Sequence, residues 1–234
     1  MKTLSPSEEY VALLVSAMES RSTTYELLSR LFRVEVDEDF LSELKAMRFP
    51  AHTGNELVDR GYRSIVTYLS NARGNVVTEL AVDYARTFIG HSMDAYGAAY
   101  PFESVYTNAK RLRMQDARDE VLAVYRSVGM DASSEWIEPE DHIAVELVFM
   151  RMLSDRAAEN LKDGKIDAAY ANLRHQEGFL NEHLGVWAPL LAKDMRSFAQ
   201  TGFYQGLADA LEGFLDLDRL LVNSVFEEDE SDAA

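Results

Sequence analysis

Glu138, Asp141, His142 and Glu146 stand together where a long apolar stretch begins, in the run Trp136-Ile137-Glu138-Pro139-Glu140-Asp141-His142-Ile143-Ala144-Val145-Glu146-Leu147-Val148-Phe149-Met150. His142 and Glu146 are four apart, so on a helix they share a face. An imidazole and carboxylates placed this way can ligate a metal ion, exchange a proton, or accept hydrogen bonds from a cationic partner. The alternative is structural: helix capping plus a satisfied, half-buried histidine.

The metal reading has one histidine with carboxylates, without the second histidine of an H-E-x-x-H pair. His52, His91, His175 and His183 make no ligand spacing with it. Acid–base work is disfavoured because acids at a helix N-terminus have lowered pKa values, unless Glu146 is desolvated. There is no cysteine, no G-x-S-x-G elbow and no phosphate-cradling glycine loop. The expectation is a protein that is not an enzyme, with no cofactor and no metal.

The element that must position these residues is a helix. Pro139 fits a first helical position, which would set Glu138, Glu140 and Asp141 on the favourable end of the macrodipole, close to solvent. Ile143, Leu147 and Met150 form one apolar row and Val145, Phe149 and Met152 another. A helix covered on both sides belongs in the centre of the core.

The remaining chain supplies helices around it. Ser5-Pro6-Ser7-Glu8 reads as a capping box, with proline at the first helical position, opening a helix that runs through Phe32. Asp37 caps a second helix, which stops before Phe49-Pro50. A third ends near Asn71 to Gly74, and a fourth, carrying Tyr84 and Phe88, ends at Gly90. After a loop from His91 to Pro101 come a short helix from Glu103 to Ala109 and a longer one stopped near Gly129. Met130 to Trp136 is the linker before the central helix, which runs to about Leu161. A helix from Ile166 to Leu184 stops at Gly185, Pro189 opens another, and the last runs from Phe203 through Val225. No stretch alternates with period two. The class is all-α: one domain over 1–226 of about ten helices, possibly two subdomains hinged near 130–138, with an acidic, disordered tail over 227–234.

With 234 residues the chain can bury a full core. A formal net charge of −17 argues against a general nucleic-acid grip and suits a cationic partner. No apolar run approaches a membrane span, and the polar N-terminus carries no export signal, so the expected place is the cytoplasm.

Three ordered segments resemble a known family. The string Glu138-Pro139-x-Asp141-His142-Ile143-x-x-Glu146-Leu147 is similar to the hinge motif of the TorD/DmsD chaperones. Tyr84-Ala85-Arg86-Thr87-Phe88-Ile89-Gly90, then Pro101-Phe102-Glu103-Ser104-Val105-Tyr106, resembles the family's Y-x-R-x-F-x-G … P-x-E-S-V-Y segment. Phe179-Leu180-x-x-His183-Leu184-x-x-Trp187, followed by Phe203-Tyr204, resembles its C-terminal helices, where these residues are read as core packing.

The resemblance implies a cytoplasmic chaperone for the catalytic subunit of a molybdenum-containing oxidoreductase. Such a chaperone binds the twin-arginine leader and assists maturation, cofactor insertion and export quality control. The leader-binding residues it implies are Tyr84, Phe88, Glu103, Ser104, Glu138, Pro139, Asp141, His142 and Glu146. Two alternatives stand beside it: a NarJ-type assembly chaperone for a non-exported nitrate reductase-like enzyme, and a carboxylate/His metal-dependent enzyme. The linker over 130–136 also suggests a homodimer formed by domain exchange.

Overall fold

The computed structural model describes residues 7–90, 97–130 and 138–231; His91, the linker residues 131–137 and the last three residues lie outside them. The described residues form ten α-helices and no strand: α1 (Glu8–Arg33), α2 (Glu38–Ala46), α3 (Glu56–Asn71), α4 (Val76–Tyr84), α5 (Glu103–Thr107), α6 (Asp116–Ser127), α7 (Ile143–Lys162), α8 (Ile166–Phe179), α9 (Gly185–Phe198) and α10 (Gly202–Ser231). A π-turn, Ala85–Ile89, prolongs α4, and a second, Leu180–Leu184, joins α8 to α9.

Caps written in the sequence set several starts. Ser7 accepts from Tyr10 N and caps α1, which begins at Glu8; Ser5 and Pro6 of the expected capping box lie outside the described residues. Asp37 accepts from Phe40 N and opens α2 as anticipated. Gly90, at φ +74°, ends the first π-turn in a conformation that favours glycine. Gly185 corrects the expectation of a stop there. Its N–H bonds to Leu180 O across the π-turn, and an added Cβ would lie 2.3 Å from that oxygen. A glycine is what lets the chain pass from α8 into α9 without breaking, and Pro189 falls inside α9 instead of opening it. α10 continues to Ser231, into the stretch read as a tail.

α7 lies in the centre. Ile143, Leu147, Met150 and Leu153 are fully buried, with α1 along one side and α8 along another. α10 packs on α3 and α9. The two halves of the chain therefore interlock instead of forming separate subdomains, because α1 belongs with α7 and α3 with α10. Buried polar ties join further pairs. Asp218 of α10 accepts from Arg21 Nη2 at 2.8 Å and Tyr25 Oη at 2.6 Å, both on α1. Asp83 of α4 accepts from Thr201 N at 2.8 Å and its hydroxyl at 2.7 Å, capping the start of α10.

α3 and α10 meet at glycine. A Cβ on Gly61 would come within 2.6 Å of Ala210 N and Gly206 O, and one on Gly206 within 2.6 Å of Gly61 O. Gly61→Ala is thus expected to force the helices apart and cost about 1–3 kcal/mol. Gly178→Ala, inside α8 with open space around it, is expected to gain stability by roughly 0.5–1 kcal/mol. Thermal melts of the two variants check this, and equal melting temperatures would refute the close approach.

Candidate functional site

α7 begins later than its sequence suggests. Its first residue is Ile143, and the cap is His142, whose Nδ1 accepts from Ala144 N at 3.1 Å. Pro139 instead opens a turn, in which its carbonyl accepts from His142 N at 3.0 Å. The reason lies in a second segment. Glu103 N donates to Asp141 O and Ile143 N to Pro101 O, both at 2.9 Å, so Phe102 and His142 pair as an isolated antiparallel bridge. Residues 141–142 are held extended by partners about forty positions away, and the helix starts only when that pairing ends.

The pairing buries the polar residues that the sequence placed near solvent. Asp141 and Glu146 are wholly inaccessible, and Glu103, Ser104 and His142 nearly so. Asp141 Oδ2 accepts from Ser104 N at 3.1 Å and, over a short contact, from the Ser104 hydroxyl. Asp141 therefore satisfies the start of α5, not that of its own helix. Burial drives His142 from its ordinary 6.5 down to about 3, so its ring is neutral, with the proton on Nε2 because Nδ1 accepts. The Phe102 ring meets it edge-on at 5.0 Å.

Behind this bridge lies a carboxyl cluster. Glu146 Oε2 accepts from Trp187 Nε1 at 3.0 Å. Both oxygens of Glu103 lie 3.1 Å from His183 Nδ1, which must be the donor to a carboxylate. Burial first, then the nearby Glu103 and Asp141 charges and hydrogen bonding to Glu103, push Glu146 well above the usual carboxylate range, against the Trp187 N–H. That direction favours the neutral form of Glu146. Asp141 Oδ1 and Glu146 Oε1 are buried with no N–H or hydroxyl donor facing them, while Glu103 lies close enough to Glu146 for the two carboxyls to share a proton.

Of the residues predicted for one site, Glu103, Ser104, Asp141, His142 and Glu146 come together at this α5–α7 junction. Glu138 and Pro139 are half-buried on its outer side. Tyr84 and Phe88 instead join an aromatic cluster with Phe32 and Tyr204, with Tyr84 Oη on Phe32 O at 3.0 Å. Glu138 connects the two groups electrostatically: burial and then the Glu138 charge raise Tyr84 to about 12. His183 and Trp187, read as core packing, are members of the polar cluster as well. The available signal was their i,i+4 spacing, since a buried imidazole and indole each need a partner. Among the described residues no group of three or more His, Asp or Glu is arranged to hold a metal ion. No helix among them is long and apolar enough to cross a membrane.

Residues 55–193, more than half of the chain, match the family model described as "Nitrate reductase delta subunit", and the chain belongs to that family. It is 29% identical over 206 residues to "Chaperone protein TorD" of Vibrio parahaemolyticus serotype O3:K6, covering 86% of this chain and 93% of the relative. The TorD of Vibrio cholerae serotype O1 is 26% identical over 218 residues, covering 90% and 95%. Among solved structures, a redox enzyme maturation protein from Archaeoglobus fulgidus shares the fold at a TM-score of 0.50 and 18% identity, over 84% of this chain and 93% of that one. Over most of its length the chain is thus similar to proteins named as TorD chaperones.

Two groups at the junction make opposite contributions to stability with pH. His142 has a depressed folded pKa, so the unfolded chain binds more protons below 6.5 and this contribution is lost as pH falls from 6.5 towards 3. Glu146 has a raised one, so its contribution is present below 4.5 and lost as pH rises above that value. Urea unfolding of the parent, His142→Asn and Glu146→Gln from pH 4 to 8 checks this. The stability difference between parent and His142→Asn should vary below pH 6.5, and that for Glu146→Gln should move with the opposite sign.

Proposed function

We propose that this chaperone serves the catalytic subunit of a molybdenum-containing oxidoreductase in the cytoplasm. It binds that subunit's twin-arginine leader and withholds it from export until the cofactor is inserted. The observation that carries this reading is the α5–α7 junction, where buried carboxylates with free oxygens lie behind half-buried Glu138 and Pro139. A guanidinium brings five N–H donors in a fixed fork, which suits such acceptors. The likeness to TorD chaperones over most of the chain supports the same conclusion.

Glu138, Asp141 and Glu146 are the acidic contacts for the leader arginines, with Glu103, Ser104, Pro139 and His142 holding them in place. Tyr84 and Phe88 set the first π-turn, on which Ile89 stands 59% exposed. That turn packs on α9, whose Val186 and Leu190 are likewise exposed and share a face. These side chains offer apolar contact for the residues that follow an arginine pair. Burying four or five apolar side chains contributes roughly 6–15 kcal/mol, against about 4–15 kcal/mol for association and ordering. Reversible binding near the micromolar range follows.

A second reading has one observation in its favour, the nitrate reductase description of the matching family. In it the client is not exported, and its N-terminus carries no arginine pair. An exchanged homodimer is compatible with either reading, because the interlocked α1–α7 and α3–α10 contacts would survive exchange between copies.

Calorimetry with a synthetic twin-arginine leader peptide, beside the same peptide with both arginines changed to glutamine, tests the proposal. The parent is expected to bind the first near micromolar and the second at least tenfold more weakly. Glu138→Gln, at a half-buried position, is expected to lose about 1.5–3 kcal/mol of binding with little change in melting temperature. Equal affinity for the two peptides would favour the nitrate reductase reading.

A further inference from the structure

The carboxyl cluster holds more acceptors than the chain's own donors satisfy. Asp141 Oδ1 and Glu146 Oε1 are sealed from solvent with no N–H or hydroxyl donor facing them, in a cluster that also contains Glu103. Leaving such atoms unmet in a low-dielectric interior is unfavourable, and each such atom in a native core needs an explanation. The surroundings of Glu146 explain why the cluster tolerates it. Glu103 faces it from α5, Asp141 and neutral His142 from the turn before α7, and Tyr125 from α6. His183 on the second π-turn and Trp187 on α9 complete the wall as donors. α1 presents the neutral Ser29 hydroxyl, bonded to Ala144 O at 2.9 Å, and α8 the neutral Gln176, bonded to Ser154. The nearest ion pair along α7, Arg151 with Glu26, is five residues further on. Arg118 on α6, tied to Glu140, feels the Asp141 charge from outside, and Arg113 lies over the Phe102 ring at 5.2 Å; within the cluster itself a proton on Glu146 limits the buried negative charge.

We propose that Glu146 is a proton-exchanging receptor for one cationic side chain of the client leader: as a guanidinium enters opposite its free oxygen, Glu146 releases its proton to solvent. This rests on the leader-binding reading and adds the regulation of that site. The balance is simple. A neutral carboxyl and a guanidinium become a carboxylate–guanidinium pair plus one proton, so the buried charge rises by one negative and one positive unit together. Entry requires the Phe102–His142 bridge to part, since its two hydrogen bonds, Glu103 N to Asp141 O and Ile143 N to Pro101 O, close the cluster. Because a proton leaves on binding, affinity rises with pH, up to tenfold per unit for a full proton. The client is therefore held more tightly at alkaline than at acidic pH.

The test is calorimetric titration of the full chain at pH 7 with the twin-arginine peptide, synthesised without His, Asp or Glu and blocked at both ends. It is run in buffers of different ionisation enthalpy. The slope of observed heat against that enthalpy counts protons, and close to one released per complex is expected. The peptide with glutamines for arginines should release none. Glu146→Gln, which preserves shape but cannot ionise, should bind the arginine peptide at least tenfold more weakly than the parent at pH 7, with the slope abolished. Should that variant fail to fold, the slope for the parent and its dependence on the arginines decide alone. Tight binding with no proton released would overturn this proposal while leaving leader binding intact. No binding of the arginine peptide at all would instead overturn the leader reading, and this inference with it.

Discussion

The α5–α7 junction depends on two backbone hydrogen bonds between Pro101–Glu103 and Asp141–Ile143. They hold residues 141–142 extended, delay the start of α7 to Ile143 and bring Asp141 under Ser104. A buried aspartate would be costly alone, but here it accepts a backbone and a hydroxyl hydrogen bond from the opening of another helix. The same pairing turns the first two residues of α5 inward, which sets Glu103 against His183 and Glu146. Glu103, Ser104, Asp141 and His142 therefore take their places from one short antiparallel contact in an otherwise helical structure.

The same device recurs elsewhere in the molecule. Asp83 reaches from α4 to cap the start of α10, and Asp218 reaches from α10 to Arg21 and Tyr25 on α1. In each case a buried carboxylate links elements far apart in the chain. Apolar packing alone does not specify register well, because a helix rotated or slid by a turn still buries similar area. A buried aspartate with fixed donors loses its partners on such a slip. The contrast with the α3–α10 contact is instructive, because there the register is set sterically by Gly61 and Gly206.

A chaperone that must release its client needs a site of modest affinity with high discrimination. Exposed charges discriminate little, since water screens them and side-chain entropy opposes them. Buried acceptors discriminate more, because the wrong partner leaves them unpaired. On the reading proposed above, the junction joins the two requirements: half-buried Glu138 and Glu140 lie outside, and desolvated carboxyls lie within. Glu140 is already engaged by Arg118, which holds its carboxyl below the usual range despite partial burial. That leaves Glu138 as the rim acid without such a tie. Ile89 on the first π-turn and Val186 and Leu190 on α9 are exposed apolar side chains besides.

The class of fold was legible in the sequence because it rests on local rules. The 3.6-residue spacing of apolar side chains and the caps at Ser7 and Asp37 act within a turn or two of themselves, and the structure follows them. The two apolar rows of α7 likewise announced a helix buried at the centre. What the sequence left open depended on partners distant along the chain. Pro139 and the acids around it match a helix start by every local criterion, and only the bridge to Pro101–Glu103 shows that the helix begins four residues later. Gly185 reads as a stop until Leu180 O is seen beside it. Asp141, His142 and Glu146 could be singled out by type and spacing, yet their burial was decided by α5, and their company by His183 and Trp187 from the far end of the fold. Residue types and spacing set which groups were available. Protonation and exposure came from tertiary packing, because desolvation depends on everything around a group, whatever its distance in sequence.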